Sequence, residues 1–229
     1  MYVIVPVKSF AHAKSRLGPI FDHEIRRQLA RAMARSVLAE LALVRTLRRI
    51  LVVSSEPEME EFCRRAGLDY LRDDGTGGLN GALAAAETEL RPAEGDPVAV
   101  VCADLPFFRA AEFERMLAVH AGLGPHGFTL ASDGQRQGTN VRIASVPGGL
   151  PYRFGEDSAA RHFREAARRG LPYRLFESDA FALDLDTPVN AIEVARRCGA
   201  AGKAPDAVLS ALLDGRSDRW SGEEQTWTH

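Results

Sequence analysis

Cysteine, net charge and long hydrophobic runs are all scarce in this sequence, and each scarcity excludes a class of protein. Only Cys63, Cys102 and Cys198 occur among 229 residues. Because they are few, far apart and odd in number, we expect reduced thiols in the cytoplasm and neither a disulfide framework nor a zinc site. The formal net charge of −2 gives no general attraction to nucleic acid or to an anionic membrane. No run of about 18 apolar residues occurs and the N-terminus lacks a basic lead, so we expect neither a membrane-spanning helix nor a secretory leader.

Lysine is also scarce, although basic residues as a class are not. The chain has 29 basic residues, but only Lys8, Lys14 and Lys203 are lysines. Two of these three stand in one short N-terminal loop. This clustering is either chance in a small sample or a sign that a flexible point charge is needed there, as lysine provides for phosphate groups.

Short apolar segments alternate with amphipathic segments along most of the chain. This alternation predicts an α/β, Rossmann-like fold of three layers, with a mostly parallel sheet and helices on both faces. The strands are predicted at 2–7, 49–55, 68–71, 98–104, 127–132, 138–144, 173–176 and 180–186. The helices are predicted at 22–44, 57–66, 79–90, 110–121, 158–169, 188–197 and 205–213.

The length suits one α/β domain, which we place at residues 1–213. Residues 214–229 form a polar tail in which Trp220 and Trp227 are isolated aromatics. We expect this tail either to be a mobile end or to dock on a partner subunit in a homodimer.

Three aspartates follow apolar strands in the predicted sheet. The segment from Val98 to Val101 is apolar without a break, and Asp104 stands where its strand would end. A second apolar segment carries Asp184 and Asp186, which share a face if the backbone is extended. Carboxylates at the carboxyl ends of strands are candidates to bind a hard divalent cation such as Mg²⁺. Alternatively, these aspartates are a turn residue before Leu-Pro and the start of a helix.

Two loops are candidates for binding a nucleotide. The basic loop from Lys8 to Phe21 follows the first strand, where phosphates are often bound in α/β proteins, and it contains Lys14 and Arg16. The second loop, from Asp73 to Leu83, is rich in glycine. It is either a flexible turn with Asn80 near a helix N-terminus, or a nucleotide contact in which Gly81 lets a base or ribose approach the backbone.

The start of the helix at Ser158 has two interpretations. Ser158 and His162 are four residues apart and therefore share one helix face. They are either a serine N-cap and an exposed histidine, or part of an anion site in which Gly155 and Ser158 offer donors at a positive helix terminus. The segment Gly138-Thr139-Asn140 could present further backbone and hydroxyl donors.

Together these features fit the transfer of a nucleotidyl group. A metal held by Asp104, Asp184 and Asp186 would bridge the nucleotide phosphates and the attacking oxygen. Lys14 and Arg16 would stabilise the charge on the leaving pyrophosphate. A phosphate monoester has its second pKa at about 6, so it is already a dianion at neutral pH and needs no general base.

These residues also form an ordered series of motifs, and through them the chain resembles the 2-phospho-L-lactate guanylyltransferase family. That family acts in coenzyme F-420 biosynthesis and lies within the molybdenum-cofactor-type nucleotidyltransferases. The resemblance covers most of the chain to about residue 200. The motifs are Val5-Pro6-Val7-Lys8, Ala13-Lys14-Ser15-Arg16-Leu17, Gly78-Leu79-Asn80, Asp104-Leu105-Pro106, Gly138-Thr139-Asn140, Phe154-Gly155-Glu156-Asp157-Ser158, Arg161-His162 and Leu183-Asp184-Leu185-Asp186-Thr187-Pro188.

The resemblance implies a fold of the nucleotide-diphospho-sugar transferase type and a Mg²⁺-dependent transfer of GMP from GTP to a small phosphorylated carboxylic acid. It implies that the three aspartates hold the metal and that a downstream transferase could receive the product. Phosphoenolpyruvate, 2-phospho-L-lactate and 3-phospho-D-glycerate all remain open as the acceptor. The residues expected to contact the nucleotide are Val5, Lys8, Lys14, Leu79, Asn80 and Gly81. Those expected around the acceptor are Thr139, Gly155, Ser158 and His162.

The sequence departs from the family pattern at two places, and three other functions stay open. Gly134-Gln135-Arg136-Gln137 is less rich in glycine than usual, and Asn190 stands where an acidic residue often follows Thr-Pro. The alternatives are a nucleotidyltransferase acting on a sugar phosphate or the molybdenum cofactor, a glycosyltransferase, and a nucleotide-binding regulator without catalysis.

Overall fold

The computed structural model describes residues 1–145 and 149–199. Within these residues, seven strands and six α-helices occur at seven of the eight predicted strand positions and at six of the seven predicted helix positions. The strands are β1 (Tyr2–Val7), β2 (Arg49–Ser54), β3 (Asp69–Arg72), β4 (Val98–Val101), β5 (Phe128–Ser132), β6 (Thr139–Ala144) and β7 (Tyr173–Leu175). The helices are α1 (His23–Ala42), α2 (Pro57–Ala66), α3 (Gly78–Leu90), α4 (Ala110–Ala121), α5 (Ser158–Arg168) and α6 (Pro188–Arg197).

All seven strands lie in one sheet with the order β3-β2-β1-β4-β6-β5-β7. The pairs β1–β2, β2–β3, β1–β4 and β5–β7 are parallel. Only β6 runs antiparallel to its neighbours β4 and β5. The prediction of a mostly parallel sheet is therefore confirmed, and the carboxyl ends of β1 and β4 meet at the same edge.

Side chains of β1 alternate between the two faces of the sheet, and helices cover both faces. Val3, Val5 and Val7 pack in a cluster that includes residues of α1, α2 and α4. Ile4 packs on the other face, in a cluster that includes residues of α3. Because both faces of β1 are covered, its side chains are apolar without a break, as they are in β4. The predicted three layers are confirmed.

Several helix boundaries follow from local signals that the sequence shows. Asp22 caps α1, where its carboxylate accepts a hydrogen bond of 2.8 Å from the backbone N–H of Ile25. Gly67 ends α2 with a left-handed backbone, φ 65°, which glycine adopts without a steric penalty. Pro188 is the first residue of α6, where its missing N–H costs nothing.

The segment 180–186 is not a strand, and that prediction is wrong. Its backbone binds three separate loop or strand ends instead of one neighbouring strand. The Asn140 amide donates to the Phe181 carbonyl at 2.7 Å. The Gly134 N–H donates to Ala182 at 2.8 Å, and the Leu185 N–H donates to Asp104 at 3.1 Å. The apolar alternation of the segment reflects burial in two clusters, which mimics the period of a strand.

Two of the open interpretations, which make Ser158 and Asn80 helix N-caps, are also wrong. Asp157, with φ 50°, precedes α5, so Ser158 is its first helical residue and not its N-cap. Gly77 precedes α3, so Asn80 does not cap that helix. His162 is fully buried, which contradicts the interpretation as an exposed histidine.

Some expectations lie outside the described residues. These are the helix predicted at 205–213, the tail 214–229 and Lys203; the end of the predicted domain at residue 213 stays a prediction. Among the described residues, no helix is both long and apolar enough to cross a membrane. Cys63 and Cys102 are free thiols.

Candidate active site

The candidate active site lies at the carboxyl ends of β1 and β4, where the basic loop meets the acidic residues. The Lys14 ammonium lies 2.6 Å from a carboxylate oxygen of Asp104 and 3.8 Å from one of Asp186. Although Lys14 belongs to a loop, its side chain is only 8% exposed. Arg16 reaches Asp186 at 3.2 Å and is 75% exposed. The two basic residues predicted to stabilise phosphates therefore contact two of the three predicted metal ligands.

Packing fixes the basic loop against the segment that carries the last two aspartates. Leu17 lies in one buried cluster with Leu183 and Leu185, the two neighbours of Asp184. The Leu185 N–H also bonds the Asp104 carbonyl. The distances between the charged groups are thus set by apolar contacts one residue away from them.

The Asp104 carboxyl is held in its ionised form. Burial alone would raise its pKa, but the Lys14 ammonium, through its charge and its hydrogen bond, and the more distant Lys8 lower it. The net result is a pKa below the ordinary value for aspartate. Lys14 is therefore the main partner of this charge.

Asp184 is in the opposite situation. Burial raises its pKa above the ordinary value, and the Asp104 and Asp186 carboxylates raise it further. The Lys14 ammonium offsets these effects only in part. The site consequently holds more negative charge than Lys14 neutralises, and that excess is concentrated at Asp184.

This excess of carboxylate charge fits a divalent cation. Carboxylate oxygens are the ligands that Mg²⁺ prefers, and a cation of two charges would relieve the repulsion that raises the pKa of Asp184. In residues 1–145 and 149–199, no three His, Cys, Asp or Glu side chains already form a metal cage. The donor chemistry therefore fits the ion, with Asp104, Asp184 and Asp186 as the residues that would hold it.

Unusual backbone conformations occur next to the predicted functional residues. Positive φ angles are found at Lys14 (56°), Arg136 (59°) and Asp157 (50°). For a residue with a side chain this conformation costs about 1–2 kcal/mol. Lys14 is the candidate itself, while Arg136 and Asp157 precede the segments of Thr139 and Ser158. Such strain is retained where the surrounding structure dictates it, and it is frequent at functional sites.

The loop 149–155, which ends at Gly155, is anchored at four of its seven positions. Asn80 binds it twice, because its amide oxygen accepts from the Phe154 N–H at 2.8 Å and its amide nitrogen donates to the Phe154 carbonyl at 3.1 Å. The other anchors are Arg142 to the Leu150 carbonyl at 2.6 Å, Tyr152 to Glu87 at 2.6 Å, and the Arg153 N–H to His162 at 3.0 Å. Asn80 thus links the predicted nucleotide loop to the predicted acceptor loop.

Arg142 is a residue of this region that sequence reasoning missed. It is 1% exposed on β6, and its guanidinium lies 4.5 Å from the ring centroid of Tyr152. An arginine in the middle of a predicted buried strand was the available signal, because a buried charge needs nearby partners.

The four residues predicted around the acceptor lie near one another. Thr139 and His162 are hydrogen bonded at 3.1 Å, and Ser158 and Thr139 are both buried. Gly155 has φ 121°, a conformation that other residues rarely adopt, and the nearest atom to an added Cβ would be Nη1 of Arg161 at 3.8 Å. Their predicted role in binding an acceptor remains a prediction.

The predicted nucleotide contacts differ in what they can offer. The Val5 side chain is fully buried, so only its backbone could meet a ligand. Lys8 is exposed and Leu79 is half-buried. A Cβ added at Gly81 would meet nothing within 4 Å, which leaves open space above this helix turn.

A comparison with protein families decides which of the open alternatives applies. The family model described as "Guanylyl transferase CofC like" matches residues 1–202. The chain belongs to the CofC-like guanylyl transferases. The resemblance seen in the sequence motifs is confirmed, and the match covers every element of the described sheet.

Curated relatives carry names with different acceptors. A phosphoenolpyruvate guanylyltransferase of Rubrobacter xylanophilus is 38% identical over 188 residues, 82% of this chain and 90% of the relative. A 3-phospho-D-glycerate guanylyltransferase of Phenylobacterium zucineum is 35% identical over 228 residues, 96% of this chain and 98% of the relative. A 2-phospho-L-lactate guanylyltransferase of Methanothermobacter thermautotrophicus is 35% identical over 184 residues, 80% of this chain and 79% of the relative.

Solved structures agree on the fold. A putative nucleotide-diphospho-sugar transferase from Desulfovibrio desulfuricans superposes with a TM-score of 0.70 at 15% identity, covering 95% of both chains. A CMP:2-keto-3-deoxy-manno-octonic acid synthetase superposes with a TM-score of 0.58 at 14% identity, covering 86% of this chain and 98% of the other. The chain therefore has the α/β fold of the nucleotide-diphospho-sugar transferase type.

Asn190, one of the two departures from the family pattern, has a structural role. Its side-chain oxygen accepts from the Thr187 N–H at 2.9 Å, and Thr187 accepts from the Asn190 N–H at 3.3 Å. This reciprocal capping box begins α6 directly after Asp186. An amide completes the box as a carboxylate does.

The charge imbalance predicts opposite stability changes in two variants that both lose activity. With EDTA at neutral pH, Asp184→Asn should raise the melting temperature, because it removes a repelled carboxylate. Asp104→Asn should lower it, because Lys14 loses its ionised partner, on the order of 1 kcal/mol or more. With Mg²⁺, both should reduce turnover about 100-fold or more, since each loses a metal ligand.

The pH dependence gives a further check on the same pair. Because the folded protein raises the pKa of Asp184, the wild type loses stability as the pH rises through this raised pKa. The increase in melting temperature caused by Asp184→Asn should therefore vanish in acid, where the Asp184 carboxyl is protonated. Thermal melts across pH measure this. Equal destabilisation by both variants at neutral pH would contradict the charge assignment.

Proposed function

We propose that the protein transfers GMP from GTP to the phosphate of a small phosphorylated carboxylic acid and releases pyrophosphate, in coenzyme F-420 biosynthesis. The observation that carries the proposal is the buried Lys14 ammonium, 2.6 Å from Asp104 and 3.8 Å from Asp186. This lysine, whose side chain is 8% exposed, lies at the sheet edge where the carboxylates meet, whereas Lys8, the other described lysine, is exposed. Membership of the family supports the reaction type, and the names of the relatives support the acceptor class.

Each charged residue then has one task in the reaction. Mg²⁺, held by Asp104, Asp184 and Asp186, would offset the repulsion between two anionic substrates. Lys14 sits beside this carboxylate group and can place its charge on the phosphates that leave. Arg16, which is largely exposed, can turn from Asp186 to the same phosphates, since an exposed ion pair is weak.

No general base is required for this chemistry. A phosphate monoester is a dianion at neutral pH and attacks the α-phosphorus through an oxygen that carries no proton. His162, the histidine nearest to the predicted acceptor, has its pKa lowered to about 3 by burial and by neighbouring arginines. It is neutral at physiological pH and has both ring nitrogens engaged with the protein.

Mass spectrometry of the products tests the reaction. The purified chain, GTP and Mg²⁺ are incubated in turn with phosphoenolpyruvate, 2-phospho-L-lactate and 3-phospho-D-glycerate, with a downstream transferase present to trap unstable products. We expect pyrophosphate and a GMP adduct of one acid. Release of GDP would indicate a glycosyltransferase, and GTP binding without any product would indicate a regulator.

Gly81 offers a test of the nucleotide site that separates binding from folding. It lies inside α3, and a Cβ there would meet nothing within 4 Å. Gly81→Ala should therefore stabilise the fold by about 0.5–1 kcal/mol, because alanine is the better helix former. If a nucleotide occupies the open space, the same methyl group should weaken GTP binding roughly tenfold, a cost typical of overpacking.

Thermal melts and calorimetric titration with GTP measure these two effects. Ala85→Ser, at an exposed position of the same helix, serves as the control and should leave GTP affinity unchanged. A stabilised Gly81→Ala variant with wild-type GTP affinity would mean that Gly81 faces solvent in the complex.

Three further expectations from the sequence stay predictions. They are a cytoplasmic location, which the small and odd number of cysteines supports, a homodimer formed through the tail, and a downstream transferase that takes over the product. We infer the last from the chemistry of the product, because joining GMP to the acceptor phosphate forms a P–O–P anhydride, and a second transfer can use this bond by releasing GMP.

A further inference from the structure

The hydrogen bond between Thr139 and His162 has a direction that the structure determines. Thr139 begins β6 and His162 lies in α5, and both side chains are buried. The Thr139 hydroxyl oxygen lies 3.1 Å from Nδ1 of His162. On the other side of the ring, the Arg153 backbone N–H donates to Nε2 at 3.0 Å.

A backbone N–H can only donate, so Nε2 of His162 carries no proton. A neutral imidazole has one proton, which therefore resides on Nδ1. The low pKa of the ring keeps it neutral, and a hydrogen bond to the Ser158 backbone also favours a ring N–H. Nδ1–H consequently faces the Thr139 oxygen as a donor.

The Thr139 hydroxyl accepts this bond and cannot return its own proton to the ring. Within residues 1–145 and 149–199, the Thr139 hydroxyl has no other hydrogen bond. Its O–H therefore has no acceptor among these residues. A hydroxyl whose oxygen already accepts one bond is a good donor, and a bond to an ionised oxygen is the strongest use of it.

We propose that His162 is a positioning residue that turns the Thr139 hydroxyl into a dedicated donor for an anionic oxygen of the acceptor. This inference rests on the proposed function, since it concerns the acceptor of that reaction. The chemistry is shared by a phosphate and a carboxylate oxygen, and both are present in the proposed acceptor class. His162 itself does not touch the acceptor, which revises its predicted role as a binding residue.

The surroundings of Thr139 support an anion at this position. Asp157, in its left-handed conformation, turns the chain so that α5 begins with the buried Ser158. The first N–H groups of a helix have no partner within it and favour negative charge, although in α5 the Ala159 N–H already donates to the Gln137 carbonyl at 3.0 Å. His162 contacts both the Thr139 hydroxyl and the backbone of Ser158, the first residue of this helix.

Steady-state kinetics on six proteins test the inference, with the acceptor and GTP varied separately. The variants are Thr139→Val, Thr139→Ser, His162→Phe, His162→Gln and the double variant Thr139→Val/His162→Phe. We expect Thr139→Val and His162→Phe each to raise the acceptor KM about tenfold or more, with the KM for GTP within twofold of wild type. Thr139→Ser keeps the hydroxyl and His162→Gln keeps one donor and one acceptor, so both should stay near the wild-type acceptor KM.

The double variant separates positioning from a merely structural role. If His162 acts through the Thr139 hydroxyl, the acceptor KM of the double variant should be less than twofold higher than that of Thr139→Val alone. Additive effects, or a rise in both KM values together with a lower melting temperature, would overturn the inference. So would an unchanged acceptor KM in Thr139→Val.

Two inhibitors identify which oxygen receives the bond. Inorganic phosphate carries the phosphate group, and L-lactate carries the carboxylate group. If Thr139→Val raises the inhibition constant of only one of these inhibitors, the hydroxyl binds the group that this inhibitor carries. If neither inhibition constant rises, the result contradicts a bond to an anion. If the wild type forms no GMP adduct, the proposed function itself fails before any variant is compared.

Discussion

Three carboxylates and one buried ammonium at the end of the sheet are the constraint on which the rest of the site depends. Lys14 satisfies Asp104 and approaches Asp186, while the pKa of Asp184 stays raised by its acidic neighbours. Such an imbalance lowers the stability of the folded protein, because like charges that lie close together oppose folding. The excess becomes useful once a divalent cation and anionic phosphates share the space.

The rest of the molecule positions this group of charges. Leu17, Leu183 and Leu185 form the apolar contact that holds the basic loop and the acidic segment together. Asn80 joins the start of α3 to the loop before Gly155. Positive φ angles at Lys14 and at the entries to Thr139 and Ser158 add strain at the same sheet edge. These strained conformations lie beside residues that are predicted to bind substrates, and strain of this kind is frequent at functional sites.

Much of the fold and part of the site could be predicted because their signals are local. Asp22, Gly67 and Pro188 mark helix boundaries through bonds or backbone angles within a few residues. Asp104 was predicted as a site residue because a buried strand ends beside it. These features depend on the chain itself and not on distant partners.

The features that could not be predicted depend on contacts between residues that are far apart in the sequence. The segment 180–186 has the period of a strand, yet Asn140, Gly134 and Asp104 bind its backbone separately. One of the two interpretations of His162 places it on an exposed helix surface, but Thr139 and Arg153, from β6 and the following loop, are bonded to its ring. The spacing of residues within one helix or strand carries no information about partners that are far away in the sequence.

The central claim is that the carboxylate excess binds a divalent cation, and titration with Mn²⁺ followed by electron paramagnetic resonance tests it most directly. The wild type, Asp184→Asn and the exposed control Asp179→Asn are titrated with GTP present, and the free Mn²⁺ signal is recorded. We expect Asp184→Asn to bind protein-associated Mn²⁺ at least tenfold more weakly than the other two. Equal Mn²⁺ affinity in all three proteins would contradict the claim.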